Sequence, residues 1–418
     1  MKKNLFSDAF FYSLIQISNF LIPVITLPYV TRVVGVDNYG LLEIAFVFTS
    51  IFVIAIKYGF EYTATRTISK NADNNSLLSK VFYEYLYAKL IILLFCFTMF
   101  FALSYYVEII SKYKFLFFIT FITIIGDFLI PGWFLRGVGK VKTVAIFLFF
   151  SKLLTLPLIF LLITESDDFY YRAAIASFSH IVISIFCIFY TVNKFNLNFI
   201  KPKLKEAFAR LSEGFPLFIS GVLILLTGNY NLFFMESFGN FSMSELGNYA
   251  AGQKLIQITQ NVVMLSISQV FYPYFSKLVS EDIDKFKSEI LSVFKLVMPI
   301  IVVGTFILYF LADFACSVMF GKEFVLASDF LRIFSVLPLL YFVSNLFLFQ
   351  GVSNLVSDKF VMYTYLIFAV VNLVGLYYLI QSQNVYYVAF FRIAVQMTIA
   401  IFSVVFYFCI VKRRKSNI

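Results

Sequence analysis

The sequence has few of the side chains on which metal and imidazole chemistry depend. Among 418 residues there is one histidine and one tryptophan. Charged residues make up 13% of the chain, against about 25% in ordinary soluble domains. The shortage of histidine argues against hydrolytic and metal-dependent enzymes. The shortage of charge, together with 61% apolar residues, excludes a water-soluble fold.

Reactive motifs are missing as well. No phosphate-binding glycine loop, nucleophile elbow or HExxH zinc motif occurs, so neither a cofactor nor a metal site is expected. Any uphill work would draw on an ion gradient, with H+ or Na+ as coupling ion, or on the gradient of the substrate itself. The four cysteines lie inside apolar runs without CxxC spacing and are expected to be inert: Cys96, Cys187, Cys316 and Cys409.

Long apolar runs dominate what is present. A bilayer core of about 30 Å takes roughly 20 residues of helix, and continuous apolar runs of this length favour helices over barrel strands. The first run lacks a signal-peptide cleavage site and is predicted to be retained. The sequence thus predicts an all-α membrane protein of about twelve transmembrane helices: 9–30, 41–60, 82–105, 114–135, 143–163, 171–190, 214–236, 247–274, 291–312, 325–348, 361–380 and 385–410.

The distribution of positive charge predicts the orientation. Most of the 33 lysines and arginines fall in alternate loops, and cytoplasmic loops retain such residues. Both termini are therefore predicted to be cytoplasmic, in a multi-pass membrane protein. The net charge of +10 is explained by topology and contact with anionic lipids, so no nucleic-acid partner is expected. The predicted outer loops hold five bases: Arg32, Lys112, Lys114, Lys322 and Arg332.

The chain divides near its middle. All predicted loops are short, and the longest, the basic segment 191–213, separates six spans from six. We therefore predict an N-terminal lobe over 1–206 and a C-terminal lobe over 207–418. An internal echo supports two parallel repeats, because Asn38–Tyr39 and Asn248–Tyr249 occupy equivalent positions in the two halves.

Cations inside the spans are the first candidates for a binding site. A cation at the bilayer centre costs roughly 2.5–3.5 kcal/mol on insertion scales, so it normally faces a wet cavity or a counter-ion. Lys152 lies deepest and is the leading candidate, followed by Lys254, Arg392 and Lys89. Lys57 lies near the end of its span, so it can also reach the headgroups.

One acid and two prolines complete the candidate set. Asp127 is the only acid near mid-membrane, and it could neutralise a base or carry a coupling proton. The pair Pro23 and Pro28 predicts a bending first helix for alternating access, with ordinary packing kinks as the alternative. His180 fits a packed, hydrogen-bonded histidine better than a proton relay.

Several segments resemble a known family. The stretch LPYVTRVVGVDNYGLLEIAF resembles the P-Y-x-x-R-x-x-G-x-x-x-Y-G signature of Wzx-type polysaccharide flippases of the MOP transporter superfamily. PGWFLRGVGKVKTVAI, ELGNYAAGQKLIQI and FGKEFVLASDFLRIFSVLPLLYFVSNLF fit the same family. On the motif, Arg32 takes the place of the family arginine, Gly35 and Gly40 of its glycines, and Tyr39 of its tyrosine. Arg32 would either contact the substrate or anchor the helix end.

The resemblance implies both a fold and a function. The fold would be a V-shaped transporter with a cation-lined cleft between two six-helix lobes. The function would be translocation of undecaprenyl-diphosphate-linked oligosaccharide repeat units from the cytoplasmic to the outer leaflet of the bacterial inner membrane, as in O-antigen or capsule synthesis. Expected partners are this lipid-linked substrate, membrane lipids, a polysaccharide polymerase and glycosyltransferases.

Three alternatives remain open at this point. A cation-coupled multidrug exporter of the same superfamily would be expected to carry more intramembrane carboxylates. A polyprenyl-linked sugar polymerase or glycosyltransferase usually has a large outer loop, and this sequence has none. A lipid II flippase usually has more than twelve spans.

Overall fold

A computed structural model of the chain describes the backbone of residues 2–71 and 74–416. It describes the side chains of 21–71, 74, 76–260, 271, 274–275, 278–279, 282–357 and 359–413. Within the described backbone the regular structure is helical throughout. The chain forms two compact units, unit 1 over Met1–Val222 and unit 2 over Leu223–Ile418.

Unit 1 contains the long N-terminal helix and the helices that pack around it. Asn74 begins one of them, because its side chain accepts a hydrogen bond from the backbone N–H of Leu77 at 3.1 Å. A 3₁₀ turn, Ser166–Asp168, precedes the last helix that lies wholly in this unit, and the linker helix α10 crosses the boundary between the units. The helices are α1 Lys2–Lys57, α2 Phe60–Lys70, α3 Asn75–Tyr106, α4 Glu108–Lys112, α5 Lys114–Phe121, α6 Thr123–Leu129, α7 Gly132–Gly137, α8 Val141–Leu162, α9 Phe169–Lys194 and α10 Leu204–Leu226.

Unit 2 follows the same pattern of long helices with short breaks. Its longest helix starts at a capping box, in which Ser242 and Glu245 satisfy each other's backbone N–H groups. A π-helix, Asn345–Val352, lies between two of the shorter helices. The helices are α11 Asn231–Phe238, α12 Met243–Glu281, α13 Ile283–Phe310, α14 Ala312–Met319, α15 Ala327–Phe334, α16 Leu337–Ser344, α17 Ser353–Leu355, α18 Asp358–Ile380 and α19 Val385–Ser416.

The predicted membrane-protein class is confirmed. By length and composition, ten helical segments in the described part of the chain could cross a membrane. Large apolar side chains such as Phe95, Phe310 and Leu161 are exposed on the helix surfaces, as lipid contact requires. The count of twelve spans, the sidedness of the termini and the division at 206/207 stay predictions.

Helix α1 is interrupted at a glycine rather than at its prolines. Pro23 and Pro28 both lie within helical backbone, whereas Gly35 leaves it with φ 75° and ψ 172°. A positive φ of this kind strains any residue with a Cβ, which explains why glycine stands at this position of the motif. The hinge role of the two prolines stays a prediction.

The two echoed asparagines make comparable contacts within their own units. The Asn38 side chain donates to the backbone oxygen of Ser166 at 3.1 Å, just before α9. The Asn248 side chain accepts from the backbone N–H of Leu326 at 3.1 Å, just before α15. Each asparagine therefore ties a long helix to the start of a later helix in its unit.

Candidate functional site

Unit 1 contains a cavity of ≈ 250 Å³. Helices α1, α2, α3, α6, α7 and α9 each contribute one ionisable side chain to its wall, and α8 contributes the apolar Val144 and Leu148. Since these ionisable groups come from six helices, the fold and not a local motif assembles them. They are Lys57, Glu61, Lys89, Asp127, Arg136 and His180.

Asp127 lies between a cation and the imidazole. Its Oδ1 is 3.6 Å from Lys57 Nζ and 3.7 Å from His180 Nε2. The Asp127 side chain is 9% exposed and the Lys57 side chain 50%. These contacts are those of a counter-ion to a base, which is one of the two roles that the sequence suggests for Asp127. Its role as a carrier of a coupling proton stays a prediction.

Lys89 is held by a break in the helix that carries Asp127. Pro131 has no N–H, so the carbonyl of Asp127, four residues earlier, loses its helical partner. The backbone leaves the helix at Ile130, with ψ 114°. Lys89 Nζ donates to the carbonyl oxygens of Asp127 at 2.5 Å and of Phe128 at 3.0 Å. The buried ammonium thus satisfies the Asp127 carbonyl, which has no partner because of the proline, and the Phe128 carbonyl at the end of the helix.

Glu61 and Arg136 form the second ion pair of the cavity wall. Arg136 Nη1 contacts Glu61 Oε2, and both side chains are about one-third exposed. Gly132 permits the approach, because a Cβ there would lie 3.1 Å from Arg136 Nη2. Glu61 is brought to the cavity by the turn at Gly59, whose φ of 71° starts α2 directly after α1.

His180 has a place shaped for its ring. A Cβ on Gly126 would lie 2.3 Å from His180 Cδ2, so only glycine leaves room for the imidazole at this depth. The side chain is 18% exposed. Nothing in the sequence indicated that Glu61 and Arg136 belong to a site, because both fall in predicted inner loops. His180 was expected to be a packed histidine, and it packs at the cavity.

The deep cations favoured by the sequence lie elsewhere. Lys152 is half-buried on α8 in unit 1, and Lys254 is half-buried on α12 in unit 2. Neither lines the cavity, and Arg392 does not line it either. Of the predicted binding cations, only Lys57 and Lys89 are brought together with Asp127.

Arg392 is packed in a polar cluster of unit 2. The residue is 1% exposed, and its Nη2 donates to Asn229 Oδ1 at 3.0 Å. The guanidinium carbon lies 5.2 Å from the ring centroid of Phe334, and a Cβ on Gly228 would lie 3.1 Å from its Nε. These contacts join α19 to other segments of unit 2, and contact between Arg392 and a substrate stays a prediction.

Arg32 is exposed and bonds locally. Its Nη1 donates to the backbone oxygen of Pro28 at 2.8 Å. That carbonyl lies one helical turn before the arginine, so this bond stabilises the end of the first half of α1. The neighbouring motif residue Tyr39 is 2% exposed. Contact between Arg32 and a substrate stays a prediction.

Comparisons with known proteins agree with this architecture. The model of a family described as "Polysaccharide biosynthesis protein" matches residues 5–279. Two curated proteins, each named "Putative O-antigen transporter", are similar. That of Escherichia coli (strain K12) is 24% identical over 349 residues, 83% of each chain. That of Shigella dysenteriae is 25% identical over 353 residues, 83% of this chain and 84% of the relative.

A solved transporter shares the fold. The inward-facing structure of a multidrug resistance MATE family transporter of the MOP superfamily superposes with a TM-score of 0.76 at 15% identity. The match covers 96% of this chain and 99% of the transporter. At this identity the likeness establishes the fold alone, and the fold is that of MOP superfamily transporters.

Proposed function

Because the chain belongs to the polysaccharide biosynthesis protein family, we propose that it is a flippase for surface polysaccharide assembly. It moves undecaprenyl-diphosphate-linked oligosaccharide repeat units from the cytoplasmic to the outer leaflet of the bacterial cell membrane. It acts as a non-enzymatic transporter, in keeping with the names of its E. coli and Shigella relatives.

The observation that carries the proposal is the charge of the unit 1 cavity. Three bases and two acids line it among apolar helices, which leaves one net positive charge with the imidazole neutral. A cation at the bilayer centre costs roughly 2.5–3.5 kcal/mol on insertion scales, so a buried base such as Lys89 normally faces a wet cavity or a counter-ion. Phosphate oxygens are suited to lysine and arginine donors.

The geometry indicates how a diphosphate would be held. Lys57 is half exposed and 3.6 Å from its carboxylate, a loose pair that a phosphate can replace. Arg136 can exchange Glu61 for a phosphate in the same way, offering two parallel donors. Lys89 stays on its two carbonyls and adds its charge without moving. The saccharide and the lipid tail extend away from this anchor.

Other partners follow from the proposed reaction. The substrate would be supplied by glycosyltransferases and consumed by a polymerase, and membrane lipids surround the helices. The energy would come from an H+ or Na+ gradient or from consumption of the flipped product. Lys152, Lys254, Arg392 and Arg32 are proposed to contact the substrate at other stages of its passage.

The cation-coupled drug exporter is the competing function, and its fold is shared. A cationic drug requires carboxylates that are open to it. Both cavity carboxylates already pair with bases, Asp127 with Lys57 and Glu61 with Arg136. The cavity is therefore better suited to an anion.

Complementation of a deletion strain tests the proposal. The double variant Lys57→Met, Arg136→Met should abolish surface polysaccharide and cause the lipid-linked unit to accumulate in the inner leaflet. The control, Lys140→Met, changes an exposed lysine outside the cavity and should export normally. Membrane levels of each variant are measured by immunoblot. Normal export by the double variant, or loss of ethidium resistance without loss of polysaccharide, would refute the proposed function.

A further inference from the structure

His180 contributes the one imidazole of the cavity wall. It is the single histidine of the chain and lies 3.7 Å from Asp127. The missing Cβ of Gly126 leaves room for its ring. An imidazole can accept a proton near neutral pH, whereas arginine stays protonated and a carboxylate paired with a base stays ionised.

Binding of a diphosphate would change the charge balance of the cavity beside His180. A diphosphate diester brings two negative charges to a wall with one net positive charge. The loaded site would then hold one uncompensated negative charge in a low-dielectric surrounding, which is costly. One proton on His180 makes the loaded site neutral.

We propose that His180 takes up one proton when the diphosphate headgroup binds, so that substrate and proton occupy the unit 1 cavity together. This inference rests on the proposed function, because it requires a diphosphate in that cavity. The imidazole is then the proton site, and the substrate that binds with the proton carries a fixed charge of two negative units.

The groups around the imidazole make His180 the acceptor. When phosphate draws Lys57 away from Asp127, the carboxylate keeps its charge and the nearest imidazole, at 3.7 Å, becomes its counter-ion. Helix α8 faces the ring region with the apolar Val144 and Leu148. The charged groups that face the cavity from the other helices are Lys57, Glu61, Lys89, Asp127 and Arg136.

Linkage fixes the sign of the effect. A ligand whose binding is accompanied by proton uptake binds more tightly as the pH falls. With one proton taken up, the affinity changes by up to about tenfold per pH unit between the titration of the empty and of the loaded site.

The experiment uses the full chain, purified with a histidine-free affinity tag and placed in nanodiscs. The probe is a synthetic ten-carbon prenyl diphosphate N-acetylglucosamine, a diester whose own charge does not change between pH 5.5 and 8.5. Calorimetry in two buffers of different ionisation enthalpy counts the protons taken up. Because His180 is the only histidine, its ¹⁵N imidazole signals report its protonation directly when the probe is added.

The wild type should take up close to one proton, and its imidazole signals should move to the protonated position. The variant His180→Gln should bind the probe with an affinity that no longer rises as the pH falls from 7 to 5.5. Gly126→Ala, which displaces the ring but keeps the histidine, should weaken the pH dependence without abolishing binding.

Two different failures separate the two claims. If the wild type binds the probe without proton uptake, or if His180→Gln keeps the full pH dependence, the proton site is refuted while the headgroup site stands. If the wild type does not bind the probe at any pH, the headgroup site itself is refuted.

Discussion

Replacement of Lys89 by methionine separates a structural lysine from a substrate-binding one. Methionine keeps an unbranched chain of similar length and fills the same space, so the change removes the charge and the donors with little loss of volume. Lys89 is 2% exposed, and its ammonium serves two carbonyl oxygens beside Pro131. Without it, both carbonyls are left buried with neither a helical partner nor the lysine.

The structure sets the size of the effect. Leaving a buried polar group unsatisfied costs about 1–3 kcal/mol, and two carbonyls are affected. Removing a buried ammonium returns part of this cost, because the charge no longer has to be desolvated. We therefore expect a loss of about 2–4 kcal/mol, which lowers the apparent melting temperature of a unit this size by roughly 4–16 °C.

The assay can follow a signal from the cavity itself. Trp133 is the single tryptophan and lies in the cavity wall on α7, so its fluorescence reports unfolding next to the break. Lys89→Met should melt earlier than the wild type, whereas Lys57→Met should fail to transport. Lys140→Met is the matched control, with unchanged melting and transport. A Lys89→Met protein that melts with the wild type would refute the carbonyl-capping role.

Three further changes test other parts of the molecule. Glu84→Gln weakens the two hydrogen bonds from Arg210, at 3.0 and 2.8 Å, that tie the linker helix α10 to α3. Since Glu84 is buried and Arg210 half-buried, we expect a loss of about 1–3 kcal/mol in thermal unfolding, and equal melting would contradict a stabilising pair. Gly252→Ala places a Cβ 2.7 Å from Phe330 Cβ and close to the backbone of Leu331. Helices α12 and α15 must then separate, at a cost of about 1–3 kcal/mol. Limited proteolysis should cleave unit 2 of this variant faster, and an unchanged rate would speak against the close packing. Lys152→Met should lower polysaccharide export at normal membrane levels if this lysine contacts the substrate, and full export would remove it from the path.

Hydropathy predicted the helices because a membrane imposes long apolar runs. The predicted fifth span, 143–163, agrees within two residues with α8, Val141–Leu162. The predicted span 385–410 lies within α19. Breaks inside spans were harder to place. The sequence contains Pro131, but only the structure shows that Lys89, on another helix, bonds to the backbone carbonyls that precede this proline.

The candidate site was predicted only in part, for a physical reason. Depth along a helix can be read from sequence, but the direction of a side chain around the helix axis and its neighbours cannot. Lys152 and Lys254 are deep, yet they do not line the unit 1 cavity. Glu61 and Arg136 lie at helix ends, which hydropathy assigns to loops. They reach the cavity because turns at Gly59 and Pro131 redirect the chain.

The carboxylates of the cavity explain how its bases persist in a membrane protein before any substrate arrives. An unpaired buried cation would be costly, but Asp127 neighbours Lys57 and Glu61 pairs with Arg136. A diphosphate can take over both bases only if the displaced carboxylates find new counter-ions. Lys89 is fixed on its carbonyls, so His180 is the remaining group that can gain a positive charge beside Asp127. Variants that neutralise Asp127 should therefore bind a diphosphate with less proton uptake, because the carboxylate that requires the protonated imidazole has been removed.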